Sequence, residues 1–176
     1  MIEYRELTLE EMSRELFAHF QRRQEVTKCW RKVVDEWVVK DIAFIDDWTE
    51  QDYAVLVCCL KNTIRTGGFV AGAFSKGRLK GFVSVEAEPL GSCRQYLDLS
   101  SIHVSVDMRG GGIGSELFGM AKAFAKEQGV QKLYISAHSA VETQAFYRAM
   151  GCVEAEEYND AHVAKEPCDC QLECVV

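Results

Sequence analysis

The sequence predicts a mixed α/β fold, a sheet with helices on both faces. Three observations predict it. Runs of β-type character alternate with segments whose apolar residues recur at the helical period. These segments follow one another in the order β-α-α-β-β-β-α-β-α-β-β. Four glycines, Gly110, Gly111, Gly112 and Gly114, stand between a strand and an amphipathic helix, about two thirds of the way along the 176 residues.

Each element has a local reason. Ile2 to Leu7 reads as a short strand. Thr8 and Glu11 form a capping box for a helix with Leu9, Met12, Leu16, Phe17 and Phe20 on its apolar face. Residues 27–48 hold two extended apolar segments, Cys29 to Val34 and Trp37 to Ile45, and are expected to form a hairpin insertion. Val34-Asp35 is a poor turn sequence for it. A second helix starts at Thr49, with Glu50 and Asp52 in its first turn; Tyr53, Leu56, Val57, Leu60 and Ile64 line one side, and Gly67-Gly68 ends it. Cys58-Cys59 falls inside this apolar pattern and reads as packing. Phe69 to Phe74 and Leu79 to Ala87 are strands around a Ser75-Lys76-Gly77-Arg78 turn. Leu90 to Gln95 is a loop, and Tyr96 to Val106 a long strand. Ile113, Leu117, Met120, Ala121 and Phe124 mark the third helix, which stops near Gly129. Lys132 to Ala137 is a strand, Val141 to Met150 a helix stopped by Gly151, and Cys152 to Glu157 and Gln171 to Val176 the last strands.

Composition narrows the class. Apolar residues make up 48% and prolines number two, which argues against disorder and for one domain over residues 1–176. The net charge of −7 disfavours nucleic acid and anionic membranes as partners and mildly favours a cationic substrate. Met1 to Glu6 is polar and charged, unlike a signal peptide, and no apolar run approaches the ~20 residues that span a bilayer. Eight cysteines in that setting read as reduced thiols of a cytoplasmic protein. Cys168-Asp169-Cys170 with Cys174 lacks a usual zinc spacing, so no metal is expected.

The glycine cluster carries the chemistry. Free N–H groups and a positive dipole end at the start of a helix make an anion site, most naturally for a pyrophosphate, and Arg109 adds a cation. A Walker A loop would need Gly-Lys-Ser/Thr, but Ser115 and Glu116 follow Gly114. A dinucleotide fingerprint would need Gly or Ala where Leu117 stands. The order Arg109-x-x-Gly112-x-Gly114 resembles the acyl-coenzyme A loop of the GNAT family of N-acetyltransferases. The run from Val104 to Gly114 is similar to that family's Val-x-Pro-x-x-Arg-Gly-x-Gly-Ile-Gly, with Val106 where proline is common. Downstream, the run from Thr143 to Cys152 resembles the family's Ala-x-x-Phe-Tyr-x-x-x-Gly-Phe segment, matching directly at Phe146-Tyr147 and Gly151. Here Ser139-Ala140 replaces a frequent asparagine, and Cys152 stands where phenylalanine is usual.

The resemblance covers residues 67–153 and implies a mostly antiparallel twisted sheet of the acyl-CoA N-acyltransferase type. It implies acetyl-CoA as co-substrate and a small-molecule or peptide primary amine as acceptor, attacking directly in a ternary complex. Arg109, Gly110, Gly111, Gly112, Ile113, Gly114 and Ser115 would hold the pyrophosphate. The main chain of Ile102, His103 and Val104 would pair with the pantetheine arm. Tyr147 would protonate the leaving thiolate. The general base stays open among Glu86, Glu88, Asp98, His103 and water. Trp30, Trp37, Phe44 and Trp48 could line a substrate pocket, or close the core or a dimer contact. A homodimer rests on resemblance alone. The competing reading is a non-catalytic acyl-CoA sensor of the same fold.

Overall fold

The computed structural model describes every residue from Met1 to Val176. Its main sheet has seven strands: β1 (Ile2–Glu6), β4 (Phe69–Ser75), β5 (Arg78–Val85), β6 (Tyr96–Val104), β7 (Lys132–Ala137), β8 (Val153–Glu154) and β9 (Cys170–Val175). Their order across the sheet is β1-β4-β5-β6-β7-β9-β8. All neighbours are antiparallel except β6 and β7. The helices are α1 (Glu50–Arg65), α2 (Ile113–Glu127), α3 (Val141–Ala149) and α4 (Asp160–Lys165). No helix is long and apolar enough to cross a membrane.

Local chemistry sets many of the boundaries. Thr49 caps α1 in a full capping box with Asp52. Lys76 and Gly77 both take positive φ, as a two-residue hairpin between β4 and β5 requires. The same holds for Val34 and Asp35, which join β2 (Arg23–Val33) to β3 (Glu36–Asp47). These two strands form a separate two-stranded ribbon, longer than the sequence suggests. The poor turn pair is tolerated because ten register pairs hold the strands together and β2 docks on the body. There Trp30 N–H donates to the Ser139 carbonyl at 2.8 Å.

Three sequence expectations are corrected. No α-helix follows Thr8. The segment carries turns and one 3-10 turn at Glu15–Phe17. Half of the capping box forms, with Thr8 N–H donating to Glu11 at 2.9 Å. The same carboxylate is also held by Arg5 at 2.7 Å, which ties the segment to β1. Burial of Met12, Phe17 and Phe20 against Tyr53 and Phe82 then outweighs local helical preference. Cys58 and Cys59 are exposed rather than packed, because Tyr53 and Leu60 set the buried side of α1. The expected strand over 152–157 shrinks to the two residues of β8. The chain beyond it turns into α4, which Asn159 caps by accepting the His162 N–H.

Two cores flank the sheet. Ile113, Leu117, Phe118 and Ala121 of α2 pack on one face with Val83, Leu97, Leu99 and Ile135. Phe17, Phe20, Tyr53 and Leu60 pack on the other with Val70, Leu79 and Phe82. Gly81 lets α2 approach β5: a Cβ there would stand 2.7 Å from Ile113 and 3.0 Å from Leu117.

Candidate active site

The sheet opens at its centre. β6 and β7 pair only over Tyr96–Asp98 and Lys132–Tyr134. Beyond that, β6 stays on β5, with a bulge that leaves Ser100 without a register partner, while β7 stays on β9. One edge of each strand is thereby left unpaired, and a cleft of about 790 Å³ lies between them.

Alternation decides which main-chain groups face it. Ser105 N–H donates to the Lys80 carbonyl at 2.8 Å, so residues 105 and 103 turn their polar groups toward β5. Ile102 and Val104 turn theirs to the open edge. This differs from the expectation for His103, whose main chain is spent on Phe82 of β5. The Val104 carbonyl already accepts Arg109 Nε at 3.2 Å, which fixes the guanidinium at the cleft.

The glycine loop closes one end. Gly110 and Gly112 have φ of 80° and 85°, a region costly for residues with a side chain. A Cβ at either would meet nothing within 4 Å, so the space above the loop is open. Gly112 gives α2 no side-chain cap. The first helical bond runs from Glu116 N–H to the Gly112 carbonyl, at 3.2 Å. The N–H groups of Ile113, Gly114 and Ser115 precede it and remain available to an anion. Gly114 is needed for close packing instead, since a Cβ there would lie 3.0 Å from Phe146. The two sequence motifs thus meet across the cleft, α2 against α3.

Tyr147 lies beside Phe146, buried, and lines the cleft. Burial pushes its phenol well above the ordinary value, and Cys152 and Asp169 add to this. It therefore keeps its proton at any working pH.

The far end is built from residues that are distant in sequence. Arg22 is only 7% exposed; it pairs with Asp46 at 2.9 Å and lies over the Trp48 ring at 5.3 Å. Its Nε and Nη1 have no partner within the chain. His103 meets the same Trp48 ring edge-on at 4.8 Å. Burial, with Arg22 and Arg109 nearby, pulls its imidazole down to about 3. The opposite wall holds Ser136, His138, Thr143 and Asp169. Ser139 is buried and bonds Arg31, while Thr143 bonds Gln24.

The other candidate bases are placed elsewhere. Glu86 accepts from Thr63 and Ser100, at 2.7 Å each. Glu88 is paired with Arg94 at 3.3 Å. Asp98 is bonded to His162 at 2.8 Å. None of the three lines the cleft. The aromatic insertion divides. Trp48 lines the cleft, Phe44 packs on His138, and Trp30 and Trp37 line a second cavity of about 410 Å³ behind α3. Arg22, Asp46 and Asp169 were not visible as site residues in the sequence, since no motif marks them. No group of three metal-ligating side chains occurs.

A central strand parted from its parallel neighbour, with a glycine-rich helix entry at the mouth, is the architecture of an acyl-coenzyme A acyltransferase. The profile described as the Acetyltransferase (GNAT) family matches residues 16–152, and the chain belongs to that family. A search of curated proteins found no match. Among solved structures, the chain is similar to nourseothricin acetyltransferase, at 17% identity over 99% of this chain and 98% of that one, with a TM-score of 0.67. It is also similar to a protein assigned as a streptothricin acetyltransferase from Bacillus anthracis str. Ames, in complex with acetyl coenzyme A. There the identity is 17% over 98% and 96% of the two chains, with a TM-score of 0.71. PaiA N-acetyltransferase from Thermoplasma acidophilum, in complex with coenzyme A, aligns at 14% identity over 100% and 99%, with a TM-score of 0.62.

Proposed function

We propose that this chain transfers the acetyl group of acetyl-CoA to a primary amine by direct attack in a ternary complex. The observation that carries the reading is the parting of β6 from β7, with the glycine loop at one end and a polar wall at the other. The N–H groups from Gly110 to Ser115 and the Arg109 guanidinium take the pyrophosphate. Gly111 contributes main chain only. The open edge of β6 at Ile102 and Val104 receives the pantetheine amides as an added strand would be received. Main-chain N–H groups there also polarise the thioester carbonyl. Tyr147 gives its proton to the departing sulfur; its raised pKa keeps that proton in place until a thiolate forms. The amine enters from the side of Trp48, Arg22 and Asp169.

Two of the similar structures bear the names of a nourseothricin and a streptothricin acetyltransferase. Nourseothricin and streptothricin belong in the first acceptor panel, with spermidine, lysine, kanamycin and a short peptide. Calorimetric titration with acetyl-CoA, alongside Gly112→Glu, tests the cofactor half. Micromolar binding that the variant loses is the expected result, and no binding to folded protein overturns it. Thiol release with a panel amine tests the transfer. Binding without release across the panel would favour the sensor reading.

A further inference from the structure

Resting on that reading, we propose that Asp169 is the general base, the group that takes the proton of the acceptor amine as it attacks the thioester. The residues of the cleft leave few alternatives. A base must line it, keep a free lone pair, and be free to take a proton from the attacking amine. His103 lines the cleft, but its ring is packed against Trp48 and Phe82, and burial with Arg22 and Arg109 nearby disfavours a proton there. His138 lines it too, yet its Nδ1 accepts the Ala140 N–H at 3.0 Å, which consumes the one lone pair of the neutral ring. Asp46 is fixed on Arg22. Glu142 and Glu166 are exposed. Asp169 is half-buried, with no cation in ion-pair contact.

Asp169 is also aimed. Its Oδ2 accepts the Ser136 hydroxyl at 3.0 Å. Ser136 Oγ in turn accepts from Gln171 Nε2 at 3.0 Å, which orients the serine proton toward the carboxylate. Gln171 is 2% exposed and is held by the Tyr134 hydroxyl. A hydrogen-bonded chain from the core thus holds Asp169, and one carboxylate oxygen is left for a ligand. Burial holds its carboxyl above the usual range; the Ser136 bond opposes this and the charge of Glu166 adds to it. The titratable groups facing it are Glu166 at the end of α4, His162 on α4, His138 after β7, Tyr147 on α3 and the adjacent Cys170.

The step balances. The nitrogen lone pair forms the C–N bond, and the C–S bond breaks with its electrons going to sulfur. An amine proton passes to Asp169, and the Tyr147 proton passes to sulfur. Asp169 then returns its proton toward Tyr147, leaving amide and free thiol.

The test compares the wild type with Asp169→Asn and Ser136→Ala, using the best acceptor of the panel. The readouts are kcat and kcat/KM against pH, and acetyl-CoA affinity by calorimetry. For Asp169→Asn the expected result is a loss in kcat of about 100- to 1000-fold, with the carboxylate's step lost from the acidic limb, the ionisation of the acceptor amine itself remaining, and acetyl-CoA affinity unchanged. Asp169→Glu should restore part of the rate. In Ser136→Ala the acidic limb should move to higher pH, because the carboxylate loses a donor. If Asp169→Asn does not fold, the Ser136→Ala shift decides. An unchanged limb in either variant, or a rate within twofold of wild type for Asp169→Asn, overturns the assignment alone. Acetyl-CoA binding with no thiol release from any panel amine overturns the proposed transfer, and this assignment with it.

Discussion

The four loop glycines are not equivalent, and their differences are measurable. Gly110 and Gly112 are needed for their positive φ, Gly114 for the approach of Phe146, and Gly111 for neither. Gly112→Ala should therefore cost about 1 kcal/mol of stability through strain. Gly111→Ala should be close to neutral. Urea unfolding of the two variants checks this, and equal losses would refute the distinction. Tyr147 is the residue on which the proposed chemistry turns. Tyr147→Phe should lower kcat by about 100-fold with acetyl-CoA affinity retained. Rates equal to wild type across a full pH profile would remove its role. The Tyr147 position was legible in the sequence because Phe-Tyr followed by glycine is a local pattern. Asp169 was not, since it stands among cysteines and owes its setting to Ser136, 33 positions away.

Among the elements, the contact of α2 with β5 places the glycine loop. Gly81→Val would drive methyl groups into Ile113 and Leu117 and push the start of α2 off the sheet. It should destabilise by about 2–3 kcal/mol, seen as a fall in Tm, and should weaken acetyl-CoA binding as well. A Tm within a degree of wild type would refute the close packing. The β2–β3 ribbon shows where local reading stops. Two apolar segments were visible, but their pairing over ten positions lengthened them beyond the apolar stretch. Thr8 to Phe20 fails in the other direction. Its periodicity and half its capping box suit a helix, yet burial of Phe17 between Phe20, Tyr53 and Phe82 selects turns.

For the molecule as a whole, two histidines give opposite pH dependences. His103 is pulled down to about 3, so below about pH 6.5 the unfolded chain binds the extra proton and stability rises with pH. His162 is held above its ordinary value, first by its hydrogen bond to Asp98. Its contribution is complete below about pH 6.5 and is lost as pH rises through the raised folded value. The two limbs meet near pH 6.5, where Tm should be highest. His162→Gln should flatten the alkaline limb and leave the acidic one; an unaltered alkaline limb would refute the His162 assignment. The sequence by itself determined the strand and helix order from β4 to α3, the glycine-rich entry to α2 and the Phe146-Tyr147 motif. These depend on periodicity, caps and required φ values, all of which act over a few residues. Only the tertiary structure decided where β6 leaves β7, which main-chain groups face the opening, and that Arg22, Asp46, Trp48 and Asp169 share one cleft. Those outcomes come from strand register and burial between segments far apart in the chain, and a local pattern carries no record of either.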